Sequence, residues 1–234
     1  MRLSAGTSGF SYKEWKGSFY PEALPAAEML RFYSERLPAV EINNTFYRMP
    51  RASVLESWAD QVGSRFRFVL KASRRITHFK RLNDVAEETD YLFSTAAALG
   101  DRLGAILFQL PPTMKKDIDR LSGFLPLVPT GFRAALEFRH GSWLDEDVYA
   151  LLARHDAALC VAETDEEAAP HRIATASWGY VRLRRAEYDE ERLRQWAERI
   201  GAQPWDEAFV FFKHEDAGTG PMLAGRLLEL ASRG

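Results

Sequence analysis

Eight short segments rich in β-branched and aromatic residues recur along this 234-residue chain, and nearly every one ends in a charged or amide side chain. In order they are Arg2–Ser8, Ala39–Thr45, Arg65–Ala72, Gly104–Leu110, Arg133–His140, Ala157–Glu163, Trp178–Arg184 and Glu207–His214. Stretches with helical periodicity lie between them. Ala26–Leu37 carries Met29, Leu30, Tyr33 and Leu37 on one stripe, and Ser53–Val62 does the same with Val54, Leu55, Trp58 and Val62. Asp84–Leu99, Asp117–Leu127, Asp145–Arg154, Asp189–Ile200 and Pro221–Ser232 fill later intervals. The sixth interval, Glu166–Ser177, shows no stripe and contains Pro170, so its helix is expected to be weak or missing. Regular alternation of strand and helix requires parallel strands joined by helical crossovers, and eight such strands close on themselves. The expected fold is α/β: a (β/α) barrel of eight parallel strands, one domain over residues 1–234.

In such a barrel the C-terminal strand ends form the rim where side chains meet a ligand. Residues i and i+2 of a strand share a face, and the outward face must pack on helices. Leu136 and Phe138 therefore point outward, which sends Glu137 and Arg139 into the lumen. The same reading turns Glu41 and Asn43 inward against Val40 and Ile42, Gln109 against Phe108, and Arg182 and Arg184 against Val181 and Leu183. Lys71, Lys213 and Glu163 complete the inward set, with Leu159 and Val161 beneath Glu163. Charges leave water only at a cost of several kcal/mol unless they are paired, so part of this set is expected as ion pairs. The cations nevertheless outnumber the carboxylates, and an anion would complete the balance.

Two long loops follow the first and third strands. Gly9–Leu24 holds Phe10, Tyr12, Trp15, Phe19 and Tyr20, either a hydrophobic flap or an aromatic binding wall. Lys71–Asn83 holds Arg74, Arg75, Thr77, His78, Lys80 and Arg81, either a solvated basic loop or part of a site. The candidate catalytic groups are Glu41, Lys71 and Glu137, with a glutamate moving the proton. The candidate substrate-binding groups are Tyr12, Trp15, Asn43, His78, Arg81, Gln109, Arg139 and Arg182. Lys71 and Lys213 are also imine-forming lysines if apolar surroundings weaken their basicity.

Several chemistries have no signature here. There is no Gly-x-Ser-x-Gly elbow, Walker A loop, Gly-x-Gly-x-x-Gly, His-x-His or His-Glu-x-x-His spacing. Interleaved Lys and Arg oppose a divalent ion, so no cofactor is predicted. The remaining metal arrangement is a cage of Glu41, Glu137 and Glu163 with His78 or His140. A formal charge of −2, from 31 Lys and Arg against 33 Asp and Glu, supplies no global pull toward nucleic acid or anionic lipid. The one cysteine, Cys160, has no partner for an internal disulfide. No apolar leader precedes the first strand and no apolar run of about 18 residues occurs, so a cytoplasmic, non-membrane protein is expected.

The motifs are similar to those of a known family. Gly6-Thr7-Ser8-Gly9-Phe10-Ser11-Tyr12, Trp15 and Phe19-Tyr20-Pro21 resemble the opening of the YecE-like proteins, domain of unknown function 72. Val40-Glu41-Ile42-Asn43, Thr45-Phe46-Tyr47, Thr77-His78, Leu107-Phe108-Gln109-Leu110-Pro111-Pro112 and Glu137-Phe138-Arg139-His140 extend the resemblance over essentially the whole chain. It implies a TIM-like barrel and no settled activity. Family members often carry His-Gly where this chain has Arg184-Arg185, and an Asn-rich stretch where it has Lys213-His214-Glu215-Asp216. The resemblance therefore assigns no role to Arg184, Lys213 or His214.

The functional expectation is an enzyme applying acid/base chemistry to a small anionic substrate, phosphorylated or carboxylated, at the C-terminal rim. One alternative is nucleic-acid binding or cleavage by the 74–81 basic loop, with aromatic stacking from the first loop. Another is a non-catalytic partner protein with a frozen ionic core.

Overall fold

Parallel pairing runs without interruption around a closed cylinder of eight strands, with β1 meeting both β2 and β8. The structure is a computed structural model and describes residues 1–166, 174–214 and 216–232. The strands are β1 (Arg2–Ser8), β2 (Ala39–Ile42), β3 (Arg67–Lys71), β4 (Leu103–Gln109), β5 (Ala134–Glu137), β6 (Ala158–Glu163), β7 (Trp178–Leu183) and β8 (Glu207–Phe212). Helices α1 (Met29–Ser34), α2 (Ala52–Asp60), α3 (Ala86–Ala96), α4 (Ile118–Phe124), α5 (Glu146–Arg154), α6 (Glu190–Gly201) and α7 (Thr219–Ala231) lie between strands or close the chain. The sixth connection, expected to lack a good helix, runs largely through residues 167–173, which lie outside the described residues. No helix among the described residues is long and apolar enough to cross a membrane.

Two apolar layers follow from strand alternation. Ala39, Val69, Leu107, Ala135, Cys160, Tyr180, Phe209 and Phe211 fill the lumen, while Val40, Phe68, Phe108, Leu136, Val181 and Val210 face the helices. Small residues on β2, β5 and β6 oppose bulky rings on β7 and β8, which is how a narrow cylinder stays filled. That asymmetry corrects the expected placement of Glu163. In β6 the small Ala158 and Cys160 occupy the lumen, and Leu159 and Val161 pack outward. Glu163 follows them to the outer face, where Arg192 Nη2 (2.5 Å) and Trp196 Nε1 (2.9 Å) of α6 donate to its carboxylate.

Six of the eight strands stop one to three residues short of the expected C-terminal ends. Asn43 is already helical (φ −84°, ψ −25°), and Asn44–Phe46 wind into a tight turn. Thr45 Oγ1 donates to the carbonyls of Ile42 (3.0 Å) and Lys71 (2.7 Å), tying two strand ends together at the rim. β8 ends at Phe212, so Lys213 is exposed rather than inward. The expected basic loop forms a π-helical turn over Arg75–Phe79, with Ile76 and Thr77 buried. Arg81, Leu82 and Asp84 follow it with positive φ (50°, 64° and 49°), an uncommon conformation for residues with a Cβ.

The N-terminal end of the barrel is closed by charge. Glu207, buried, accepts from Arg2 Nη2 (2.6 Å), Arg133 Nη1 (2.7 Å) and Ser4 Oγ (3.3 Å). Near the first crossover, β1 and β2 approach so closely that a Cβ on Gly6 would lie 1.8 Å from the carbonyl oxygen of Ala39. Tyr33 of α1 locks this junction by donating to that same oxygen (2.9 Å). Gly6→Ala is expected to cost about 3 kcal/mol in urea unfolding, at the upper end for overpacking. Gly63→Ala, whose added methyl meets nothing within 4 Å, serves as the near-neutral comparison. Equal stabilities for the two variants would contradict this packing.

Candidate functional site

Arg182 enters the lumen from β7 and bridges strands on the far side of the barrel. Its Nη2 donates to Glu41 Oε1 (2.8 Å) and its Nη1 to Glu137 Oε2 (2.7 Å), with all three side chains buried. Glu41 also accepts from Tyr180 Oη (2.5 Å), Ser8 Oγ (2.7 Å) and Asn43 Nδ2 (3.2 Å). Glu137 accepts from Gln109 Nε2 (2.9 Å) and faces Arg139 Nε (2.6 Å) and Arg184 Nη2 (3.2 Å) through Oε1. Lys71 Nζ donates to Gln109 Oε1 (2.9 Å), so a continuous polar chain crosses the barrel mouth. Strand alternation alone delivers Glu41, Gln109, Glu137, Tyr180 and Arg182 to it.

This geometry decides which groups can move a proton. Burial pushes Glu137 upward, but Arg182, Arg139 and Arg184 reverse that and hold its carboxyl at about 2. Burial likewise opposes ionisation of Glu41, and Arg182, Tyr180 and Ser8 outweigh it, leaving this carboxyl also below its ordinary value. Both glutamates are therefore held as carboxylates and are poorly matched to carrying a proton near neutrality, the role expected of them from sequence. Lys71 shifts in the useful direction: burial first, then the charge of Arg182, lowers its ammonium to about 8. His78 is also lowered, by burial and then by Lys71. Its Nδ1 shares a hydrogen bond with Thr77 Oγ1 (2.9 Å).

Phe46 is a site residue that alternation could not supply, because it lies beyond the end of β2. Lys71 Nζ stands 4.3 Å from its ring centroid, and the His78 ring packs edge-on against it at 4.9 Å. Ser8 and Tyr180 were also missed as glutamate partners, although Tyr180 lies two residues before Arg182 on the same face. Asn43 reaches the cluster from just past its strand, and its Oδ1 is buried without a hydrogen-bond partner.

Other candidates fall outside the cluster. Trp15 is fully buried beneath the first loop, packed against Tyr12 (4.7 Å), Phe19 (5.8 Å) and Tyr20 (6.0 Å). It supports the loop and has no surface to wall a ligand, which corrects that expectation. Tyr12 is half-buried above it and donates to the Ser8 carbonyl (2.6 Å) at the end of β1. Arg81 is exposed and reaches Thr113 Oγ1 (3.3 Å). The glutamate cage considered for a metal is not assembled, because Glu163 faces α6 and Arg182 stands between Glu41 and Glu137. Among the described residues no group of three or more His, Cys, Asp or Glu is placed to hold an ion.

Fold and site define a class: a closed (β/α) barrel whose C-terminal rim carries a buried arginine between two glutamates, ringed by further cations. The chain belongs to the family described as protein of unknown function DUF72, whose model matches residues 4–234. The UPF0759 protein YunF of Bacillus subtilis is 27% identical over 140 residues, 56% of this chain and 50% of its own length. The UPF0759 protein YecE of Escherichia coli K12 is 30% identical over 112 residues, 47% of this chain and 41% of its own. The matched stretches thus span half or less of these curated relatives. A solved DUF72 family protein from Thermotoga maritima superposes with a TM-score of 0.84 at 26% identity, covering 99% of this chain and 100% of that one.

Removing the hub should expose its electrostatics. Arg182→Met leaves two buried carboxylates without their shared cation and is expected to cost about 3–5 kcal/mol at pH 7. In the wild type, Glu137 binds its proton more weakly folded than unfolded, so its contribution is present above the ordinary carboxylate value and lost as pH falls through about 2. In Arg182→Met, Glu41 loses its one ion pair among the described residues and protonates more readily, while Glu137 keeps Arg139 and Arg184, so the variant's deficit should shrink as pH falls below about 5. A deficit that grows on acidification, measured by denaturant unfolding across pH, would contradict the ion-pair assignment.

Proposed function

We propose that this barrel is an enzyme that holds a small anionic substrate, phosphorylated or carboxylated, at its C-terminal rim and moves a proton with Lys71. One observation carries the reading: among the described residues, Lys71, Arg139, Arg182 and Arg184 share only the carboxylates of Glu41 and Glu137. Two positive charges are left over in a region where burial strengthens every electrostatic contact. A bound anion would neutralise them.

The roles divide by exposure. Arg182 is committed to both glutamates and fixes the field. Arg139 and Arg184, with side chains 27% and 12% exposed, touch Glu137 and keep further guanidinium donors for a ligand. Gln109 is oriented between Lys71 and Glu137, and the unpartnered Oδ1 of Asn43 would accept from a substrate hydroxyl or amide. Glu41 and Glu137 act as permanent counter-charges.

Thermal denaturation with inorganic phosphate or pyruvate, against sodium chloride at matched ionic strength, tests this reading. A ligand at about 100 times its dissociation constant adds about 2.7 kcal/mol to stability, which a melting curve resolves. The expected result is a rise in Tm for the wild type and none for the Arg139→Ala/Arg184→Ala double variant. No rise with either anion, or an equal rise in the double variant, would overturn it.

A second reading keeps one specific observation. Tyr47 and Phe79 are exposed, and Arg74 lies 5.5 and 5.3 Å from their ring centroids, an arrangement on which nucleic-acid bases stack. The first-loop aromatics envisaged for stacking instead pack on one another, and Glu88 holds Arg75 (2.7 Å) and Lys80 (2.9 Å). This reading expects short oligonucleotides to bind with affinity falling steeply as salt rises. Absent or salt-insensitive binding would remove it.

A further inference from the structure

Lys71 stands apart from the arginines around it in what it touches. Arg139, Arg182 and Arg184 each face Glu137, whereas the Lys71 amine meets a neutral amide oxygen, Gln109 Oε1 at 2.9 Å, and an aromatic face, Phe46 at 4.3 Å. Among the described residues no carboxylate lies within ion-pair distance of it. The nearby carboxylates of Glu137 and Glu41 are already gripped by arginines, and the remaining charges acting on it, those of Arg182 and Arg139, are positive. A lysine needed only to balance charge would be placed against a carboxylate. One held in a half-buried apolar and amide setting beside cations is placed to lose its proton and present a lone pair.

We propose that Lys71 is a nucleophile that forms an imine with a small carbonyl compound carrying an anionic group, a 2-oxo acid being the simplest. This rests on the anion-binding reading above, since Arg139 and Arg184 would hold the carboxylate of that acid. The neutral Nζ lone pair attacks the carbonyl carbon, and the carbonyl π electrons move to oxygen, which takes up a proton. The nitrogen releases a proton, a second proton on the new hydroxyl lets it leave as water, and the nitrogen lone pair closes the C=N bond. No electrons are gained or lost overall. His78, edge-on to the same Phe46 ring and close enough for the Lys71 charge to act on it, is the group placed to carry these protons. With its ammonium lowered to about 8, about a tenth of Lys71 is the free amine at pH 7. The protonated imine then draws electrons from the adjacent carbon, which eases removal of a proton there. Acid/base chemistry at this rim would then act on a covalently held substrate, with His78 rather than Lys71 carrying the proton.

Borohydride trapping reads the imine directly. The purified chain is incubated with pyruvate or glyoxylate, reduced with sodium borohydride, digested and mapped by mass spectrometry. The expected product carries the mass of one probe molecule less one oxygen atom, on the peptide containing Lys71 and not on those containing Lys13, Lys16, Lys80, Lys115, Lys116 or Lys213. Lys71→Arg should melt cooperatively and show no adduct. Arg139→Ala/Arg184→Ala should reduce labelling at least about tenfold, the loss expected for charge-assisted contacts to the acid. No adduct with either probe, or label spread evenly over the lysines, overturns the proposal. If pyruvate raises the Tm of the wild type but leaves no adduct, the imine falls and the anion-binding reading stands. If neither pyruvate nor phosphate raises the Tm and no adduct forms, both fall.

Discussion

The buried arginine at position 182 is the constraint on which the rest of this barrel mouth depends. A guanidinium removed from water costs several kcal/mol unless opposite charge is placed against it. Here the answer comes from across the cylinder, from Glu41 on β2 and Glu137 on β5. Those carboxylates in turn require Ser8, Asn43, Gln109, Tyr180, Arg139 and Arg184 as partners, so one buried charge organises residues at the ends of β1, β2, β4, β5 and β7. The parallel register makes this possible by bringing Ser8 level with Glu41 and Gln109 level with Glu137. Below this layer the lumen is packed with apolar side chains, so the polar groups gather only where the strands end.

The same network separates fixed charge from mobile charge. Arginine and the two depressed carboxylates do not exchange protons near neutrality, and so they form a permanent field. Lys71 and His78 sit at its edge, both shifted down by burial and by neighbouring cations. A rim with surplus positive charge weakens its own lysine, and the anion proposed above would restore the balance. Under that proposal, substrate binding and amine reactivity would be parts of one electrostatic arrangement.

Much of this was legible in the sequence because strand alternation is a strict rule. It turned Glu41, Gln109, Glu137, Arg139, Arg182 and Arg184 toward a common axis, and the closed eight-stranded cylinder agrees. Alternation failed in β6, where both faces are apolar and only the size mismatch with the rings of β7 and β8 decides which is inside. It was also silent beyond strand ends, where Phe46 turns back over Lys71 and Trp15 sinks beneath its loop. The direction of the glutamate shifts was out of reach for another reason. The cation that sets it for Glu41 lies 141 positions away, and nothing local announces that pairing.

Excess positive charge gathers at the rim, and Lys71 reports that charge most directly. An NMR titration of the Lys71 side chain in the ligand-free protein should show its ammonium losing the proton near pH 8, and added phosphate should move that point upward. A midpoint at the ordinary lysine value of 10.5, unmoved by phosphate, would contradict it.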